Sequence, residues 1–140
     1  MPIVGRSLVT GWPWLKPILL YWCPLLCYAA VIFYLSSLSH PEDLFPVTIW
    51  DKAAHVAEYT ILGVLSCRAL TQASPLGRSS HAIVWAIVGA ALYGVTDEVH
   101  QTFVALRHAD LLDVFADAIG ASVGAITWKY IGFDQPLPTV

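Results

Sequence analysis

Between Ile18 and Leu38 the chain runs 21 residues without a charged side chain. As a helix this stretch is about 30 Å long, the thickness of the hydrocarbon core of a bilayer. A soluble protein could bury such a helix only inside a much larger body, and the whole chain has 140 residues. Composition agrees: 57% of the residues are hydrophobic and 12% charged, against about 45–50% and about 25% in soluble domains. The chain therefore reads as an integral membrane protein whose first partner is the lipid bilayer. The apolar run exceeds the roughly 7–15 residues of a signal-peptide core. It is followed by Ser36-Ser37-Leu38-Ser39-His40-Pro41 rather than an Ala-x-Ala site, so a retained helix is expected.

Apolar segments at about 18–38, 52–70, 82–104 and 111–130 predict an all-α protein. Its expected form is four transmembrane helices in an antiparallel bundle, as a single domain over 1–140. Links carry the punctuation, at His40-Pro41-Glu42-Asp43 with Pro46, and at Ser74-Pro75-Leu76-Gly77-Arg78-Ser79-Ser80. Pro24 lies inside the first helix and is placed to kink it. Arg6, Lys16, Arg68, Arg78 and Lys129 fall at the N-terminus, the second link and the C-terminus, which by the positive-inside rule puts both termini in the cytoplasm. Trp12, Trp14, Trp85, Trp128 and Tyr130 gather at the same ends as an aromatic belt. The first and third links then face outward. Cys23, Cys27 and Cys67 lie in apolar segments and imply packing rather than a disulfide framework. A net charge of −3 implies no nucleic-acid partner.

Against that apolar background, polar residues concentrate at the outward ends of three helices. Half of the ten acids fall between Asp97 and Asp117. Acids inside a membrane are costly and usually functional. Helical rise puts Glu58 about 10 Å below Asp51, Asp97 about 10 Å below Val104, and Asp117 about 10 Å below Asp110. Helical periodicity puts Lys52, His55 and Tyr59 on one face of the second helix, and Asp97 and Gln101 on one face of the third. Asp110, Asp113, Asp117, Gly120 and Gly124 share a face of the fourth, so a polar stripe runs into a Gly-x-x-x-Gly stripe that admits a close neighbour. Seven acids against Lys52 and Arg107 cannot all stay ionised and unpaired in a partly buried site. Protonation, water or a divalent cation must make up the difference. Asp113, Asp117 and Asp97 are the candidate metal ligands, for Mg²⁺, Mn²⁺, Ca²⁺ or Zn²⁺.

Simpler roles exist for several of these groups. Asp51 and Asp110 are good N-caps, Lys52 an interfacial snorkeller, Arg107 a partner that locks the loop to a carboxylate. Trp50 suits an interfacial anchor, and His40, His81 and His108 suit links or interfaces; His100 faces a different direction from Gln101, and its role is left open. Glu58, Asp97, Glu98, Asp113 and Asp117 fit such roles least, because too many acids share one small region.

The ordered set Asp51-Lys52-x-x-His55-x-x-x-Tyr59, Glu98-x-x-Gln101, Arg107, Asp113 and Gly120-x-x-x-Gly124 resembles the VanZ-like family over about residues 51–124. That family is bacterial and membrane-embedded, and is named for a protein associated with resistance to the glycopeptide antibiotic teicoplanin. The resemblance implies an inner-membrane location and a polar core of Lys52, His55, Tyr59, Glu98, Gln101, Arg107 and Asp113. The family often carries Asn where this chain has Asp117, so the acid adds charge to the site. Two functions follow as expectations. In the first, Lys52, His55, Glu58, Tyr59, Asp97, Glu98, Gln101, Arg107, Asp113 and Asp117 line an outward pocket. It binds a lipid-linked cell-wall precursor or a lipoglycopeptide. In the second, the chain is an enzyme on a lipid-linked phosphate or sugar, with His55 or Glu98 as base and Asp113 and Asp117 on a metal. A purely structural charge network is the third possibility. An ion pathway fits poorly, because the inner halves of helices 1 and 4 are apolar.

Overall fold

A computed structural model describes residues 15–39 and 51–132. Roles expected for Arg6, Trp12, Trp14, the 40–46 link, Trp50 and the Asp51 side chain lie outside the described residues and side chains. The described residues form only helices: α1 (Leu15–Ser36), α2 (Asp51–Ala73), α3 (Ser80–Gln101) and α4 (Leu111–Gly132).

The bundle is polar within and apolar without. Leu19, Leu26, Val84, Leu92, Phe115 and Ile119 are each more than half exposed. Asp97, Glu98, Gln101, Asp113 and Asp117 are at most 4% exposed. In water such a surface would drive association; in lipid it is the favourable arrangement, and the chain is a membrane protein. Helices α1, α3 and α4 are each long and apolar enough to cross a membrane. Helix α2 has the length, about 34 Å, but carries Lys52, Glu58 and Arg68 and falls below the hydropathy of a span. Its position explains this, because α1, α3 and α4 all pack against it. Tyr59 and Cys67 on α2 are fully buried, so its side chains answer to protein rather than to lipid.

Consecutive helices run antiparallel, and this makes the closest pair parallel. Lys52 at the start of α2 meets Asp113 at the start of α4, and Trp128 near the end of α4 donates to Thr71 Oγ1 near the end of α2. The α2 and α4 backbones touch. A Cβ on Gly120 would lie 2.5 Å from the Val56 carbonyl oxygen, and one on Gly124 would overlap the Thr60 carbonyl. Gly63 on α2 faces the Ala121 backbone in the same way. The Gly-x-x-x-Gly stripe therefore packs against a close neighbour, as its spacing predicts.

Pro24 acts through the carbonyl it leaves without its helical donor. A π-helical turn over Ile18–Trp22 precedes it, and Arg68 Nη1 donates to the Leu20 carbonyl at 3.1 Å, four residues before the proline. The Arg68 guanidinium also lies 4.8 Å from the Tyr21 ring centre. Cys67 is buried, whereas Cys23 and Cys27 are exposed as free thiols.

Helix α3 stops at Gln101, short of the expected 104. Thr102, Phe103 and Val104 donate to carbonyls three residues back, tightening the chain into turns. Leu106 then takes a left-handed conformation, φ +67°, which a side chain pays for with about 1–2 kcal/mol. This turn delivers Arg107 back toward the bundle. Leu106→Gly is expected to stabilise the fold by about 0.5–1 kcal/mol, less than the full strain because glycine also loosens the unfolded chain. Thermal unfolding in detergent reads this directly; Leu106→Val should move the midpoint the other way.

Candidate functional site

The polar residues assemble in two adjoining groups at one end of the bundle. The first joins α2 to the start of α4. Lys52 Nζ donates at 2.8 Å to both Asp110 Oδ2 and Asp113 Oδ1. Asp110 also caps α4: its Oδ1 accepts the Leu112 amide at 2.9 Å. Its own amide donates to Glu98 Oε2 at 2.7 Å. One residue thus ties three helices. The hydrogen bond from Lys52 holds the Asp110 carboxyl below the usual carboxylate range, and the Leu112 amide adds to this. Deeper in, His55 Nδ1 lies 2.8 Å from Asp117 Oδ1, with Asp117 fully buried. Gly94 on α3 makes room for that carboxylate, since a Cβ there would lie 2.5 Å from Asp117 Oδ2.

The second group surrounds a cavity of about 80 Å³ lined by Ile32, Leu35, Ser36, Ala54, His55, Glu58, Asp97, Gln101 and Arg107. Gln101 Nε2 donates to Asp97 Oδ2 at 3.2 Å. Asp97 Oδ1, Ser36 Oγ and Arg107 Nε are buried without a hydrogen-bond partner among the described residues. Unpaired buried polar atoms are costly, and the cavity beside them has room for polar partners. At about 30 Å³ per water it holds two or three waters or one small polar group.

The structure brings Lys52, His55, Glu58, Asp97, Glu98, Gln101, Arg107, Asp113 and Asp117 to one end of the bundle, in roles that differ from those expected. Lys52, expected as an interfacial snorkeller, is engaged by two carboxylates. Arg107 makes no ion pair among the described residues, so it does not lock its loop to an acid. Tyr59 is fully buried, with its hydroxyl unpartnered among the described residues and its ring 6.5 Å from that of His55 and 6.4 Å from that of Tyr93. His100 stacks on Phe33 and hydrogen-bonds Ser37 Oγ at 3.0 Å, joining α1 to α3.

Helix α1 is the wall that residue patterns missed. Ser36 lies inside the uncharged run, and Ile32 and Leu35 on the same helix gave no polar signal. Tyr28 on α1 donates to the Glu58 carbonyl and Tyr93 on α3 donates to the Ala29 carbonyl, at 3.3 and 2.6 Å. These tyrosines hold α1 across the mouth between α2 and α3.

Below the polar cavity lies a larger groove of about 540 Å³ between α1 and α3, floored by α2. Its lining includes Trp22, Leu25, Ala29, Leu62, Leu70, Gly89 and Tyr93. The two cavities are in register. Ala29 and Ile32 on α1, Leu62 and Glu58 on α2, and Tyr93 and Asp97 on α3 are each about one turn apart, the first of each pair lining the groove and the second the polar cavity.

No curated protein and no solved structure matches the chain. The model of one family, VanZ/LLP1, matches residues 21–132. That stretch takes in all but the first turns of α1, the whole polar end and the glycine-packed α2–α4 pair, and the chain belongs to the VanZ-like family.

Proposed function

We propose that the protein binds an amphiphile of the bacterial cell envelope whose head carries sugar hydroxyls or amines and whose tail is a long hydrocarbon. The observation that carries this is the registered pair of cavities, polar above and apolar below, on the same three helices. The unpartnered Asp97 Oδ1, Ser36 Oγ and Arg107 Nε favour a group that both donates and accepts, such as a sugar hydroxyl. With Lys52 held by Asp110 and Asp113, one guanidinium faces Glu58 and Asp97, so an anionic head is the poorer fit. A lipid-linked wall precursor and a lipoglycopeptide such as teicoplanin both join sugar hydroxyls to a hydrocarbon tail; the small polar cavity would take one such hydroxyl or amine and leave their anionic groups outside. In this reading α2 also spans the inner membrane, both termini are cytoplasmic, and the polar end faces outward.

The test uses the protein in nanodiscs, titrated separately with teicoplanin and with a polyprenyl-linked disaccharide precursor. Gly89→Leu fills the groove at a position where an added Cβ meets nothing within 4 Å. It is expected to weaken binding of the true ligand about tenfold or more, on the scale of about 1.4 kcal/mol per decade. No binding of either compound, or binding indifferent to Gly89→Leu, overturns the proposal. A metal-assisted enzyme is the second reading, favoured by the grouping of His55, Glu98 and Asp113. It requires the masses of polyprenyl-linked lipids to change between cells with and without the protein, and an unchanged profile removes it.

A further inference from the structure

His55, Glu98 and Asp113 come from three different helices, and each offers a ligand atom such that all three atoms lie within 4.8 Å of one another. All three residues are buried, at 6%, 4% and 3% exposure. Two atoms that ligate one ion at about 2.1 Å can be at most about 4.2 Å apart. The set therefore closes around an ion with side-chain shifts of about half an ångström.

Two further observations separate this triad from a chance group of acids. Glu98 gives Oε2 to the Asp110 amide, while Oε1 is buried without a partner among the described residues. A buried carboxylate oxygen with no donor is costly, and a cation would satisfy it. Asp117, fully buried, holds His55 Nδ1 from behind. In the tautomer that donates from Nδ1 to Asp117, Nε2 is the nitrogen able to ligate an ion. That is the carboxylate–histidine pairing that orients a metal-ligating imidazole and raises its basicity.

We infer that His55, Glu98 and Asp113 form a binding site for a divalent transition-metal ion, with Asp117 as the residue that positions His55. One imidazole with two carboxylates suits Zn²⁺ or Mn²⁺ better than Mg²⁺ or Ca²⁺, which take oxygen ligands. Asp97 is no part of the set, because it turns to Gln101 and the neighbouring cavity. Lys52 is a tethered competitor: its ammonium neutralises Asp113 and must yield when the ion enters. The inference does not depend on amphiphile binding, although His55 also lines the polar cavity of that reading.

The full chain in nanodiscs, stripped with chelator and titrated calorimetrically with ZnCl₂ or MnCl₂, is expected to take up one ion. Glu98→Gln keeps the shape and an acceptor for the Asp110 amide, so it should stay folded and lose that uptake. Asp117→Asn should weaken affinity by roughly 10–100-fold, as for other outer partners of metal ligands. Lys52→Met should tighten it, an effect that a merely structural role for Lys52 would not produce. Asp97→Leu should leave it unchanged, which distinguishes failure of the metal site from failure of the amphiphile site. Absence of uptake by the unmodified chain, or wild-type affinity in folded Glu98→Gln, overturns the inference.

Discussion

Asp117→Ala is expected to lower the stability of the bundle by about 3–5 kcal/mol, the range for removing one member of a buried ionic pair. Asp117 has no exposure, and its Oδ1 lies 2.8 Å from His55 Nδ1. Alanine would leave the imidazole facing a void beside Gly94, where neither lipid nor water replaces the lost acceptor. Most of the loss is the penalty of an abandoned polar group rather than the worth of the pair. Asp117→Asn keeps the volume and an acceptor and should cost about 1 kcal/mol. Reversible unfolding in mixed micelles of rising denaturing-detergent content measures both. Equal stabilities for the alanine and asparagine variants would show that the pair contributes nothing to the fold.

The second large effect comes from the α2–α4 contact. Gly124→Leu is expected to prevent assembly of the bundle, and Gly124→Ala to cost about 1–3 kcal/mol, as for overpacking of a tight interior. The obstacle is backbone: an added Cβ overlaps the Thr60 carbonyl and comes within 2.8 Å of the Val64 amide nitrogen. Neither can rotate aside, so the helices must separate. Separation propagates to the site, because Asp117 lies two turns before Gly124 and His55 lies on the facing helix. Gly89→Ala supplies the control. It faces open space and should be neutral or stabilising by up to about 1 kcal/mol, through helix propensity. Thermal midpoints of the two alanine variants should therefore move in opposite directions; equal losses would mean that generic helix effects, not the backbone contact, govern α2–α4 packing.

Much of this was legible before any coordinates. The uncharged run from Ile18 marked the solvent, and a seven-residue spacing put Asp110 and Asp117 on the face that continues through Gly120 and Gly124. Periodicity assigns a face to a helix but not the neighbour which that face meets. For that reason the parallel contact of α2 with α4 could not be read from spacing, and neither could the closing of the pocket by α1. Loop geometry was equally hidden. The turns after Gln101 and the left-handed Leu106 decide where Arg107 points, and neither leaves a composition signal. Lys52 carried no mark of which acids it would choose, because that choice depends on the docking of α4. Tyr93 lay within an ordinary apolar helix and revealed its crossing to Ala29 only in three dimensions.

Asp117 and Asp97 have opposite expected behaviour, and this separates a ligand site from a structural lock. Each keeps one buried oxygen with no partner among the described residues, but the other oxygen of Asp117 is held by His55, whereas that of Asp97 meets only the Gln101 amide beside the polar cavity. Stability given up at such a position is the usual mark of a functional group. The direct measurement is the thermal midpoint of Asp97→Leu together with its affinity for the amphiphile that binds the unmodified chain. A ligand site predicts a midpoint near that of the unmodified chain, lowered by no more than the roughly 1–3 kcal/mol that leaving the Gln101 amide without its acceptor costs, with binding lost. A collapsed midpoint, or a folded variant that binds as tightly as before, would contradict it.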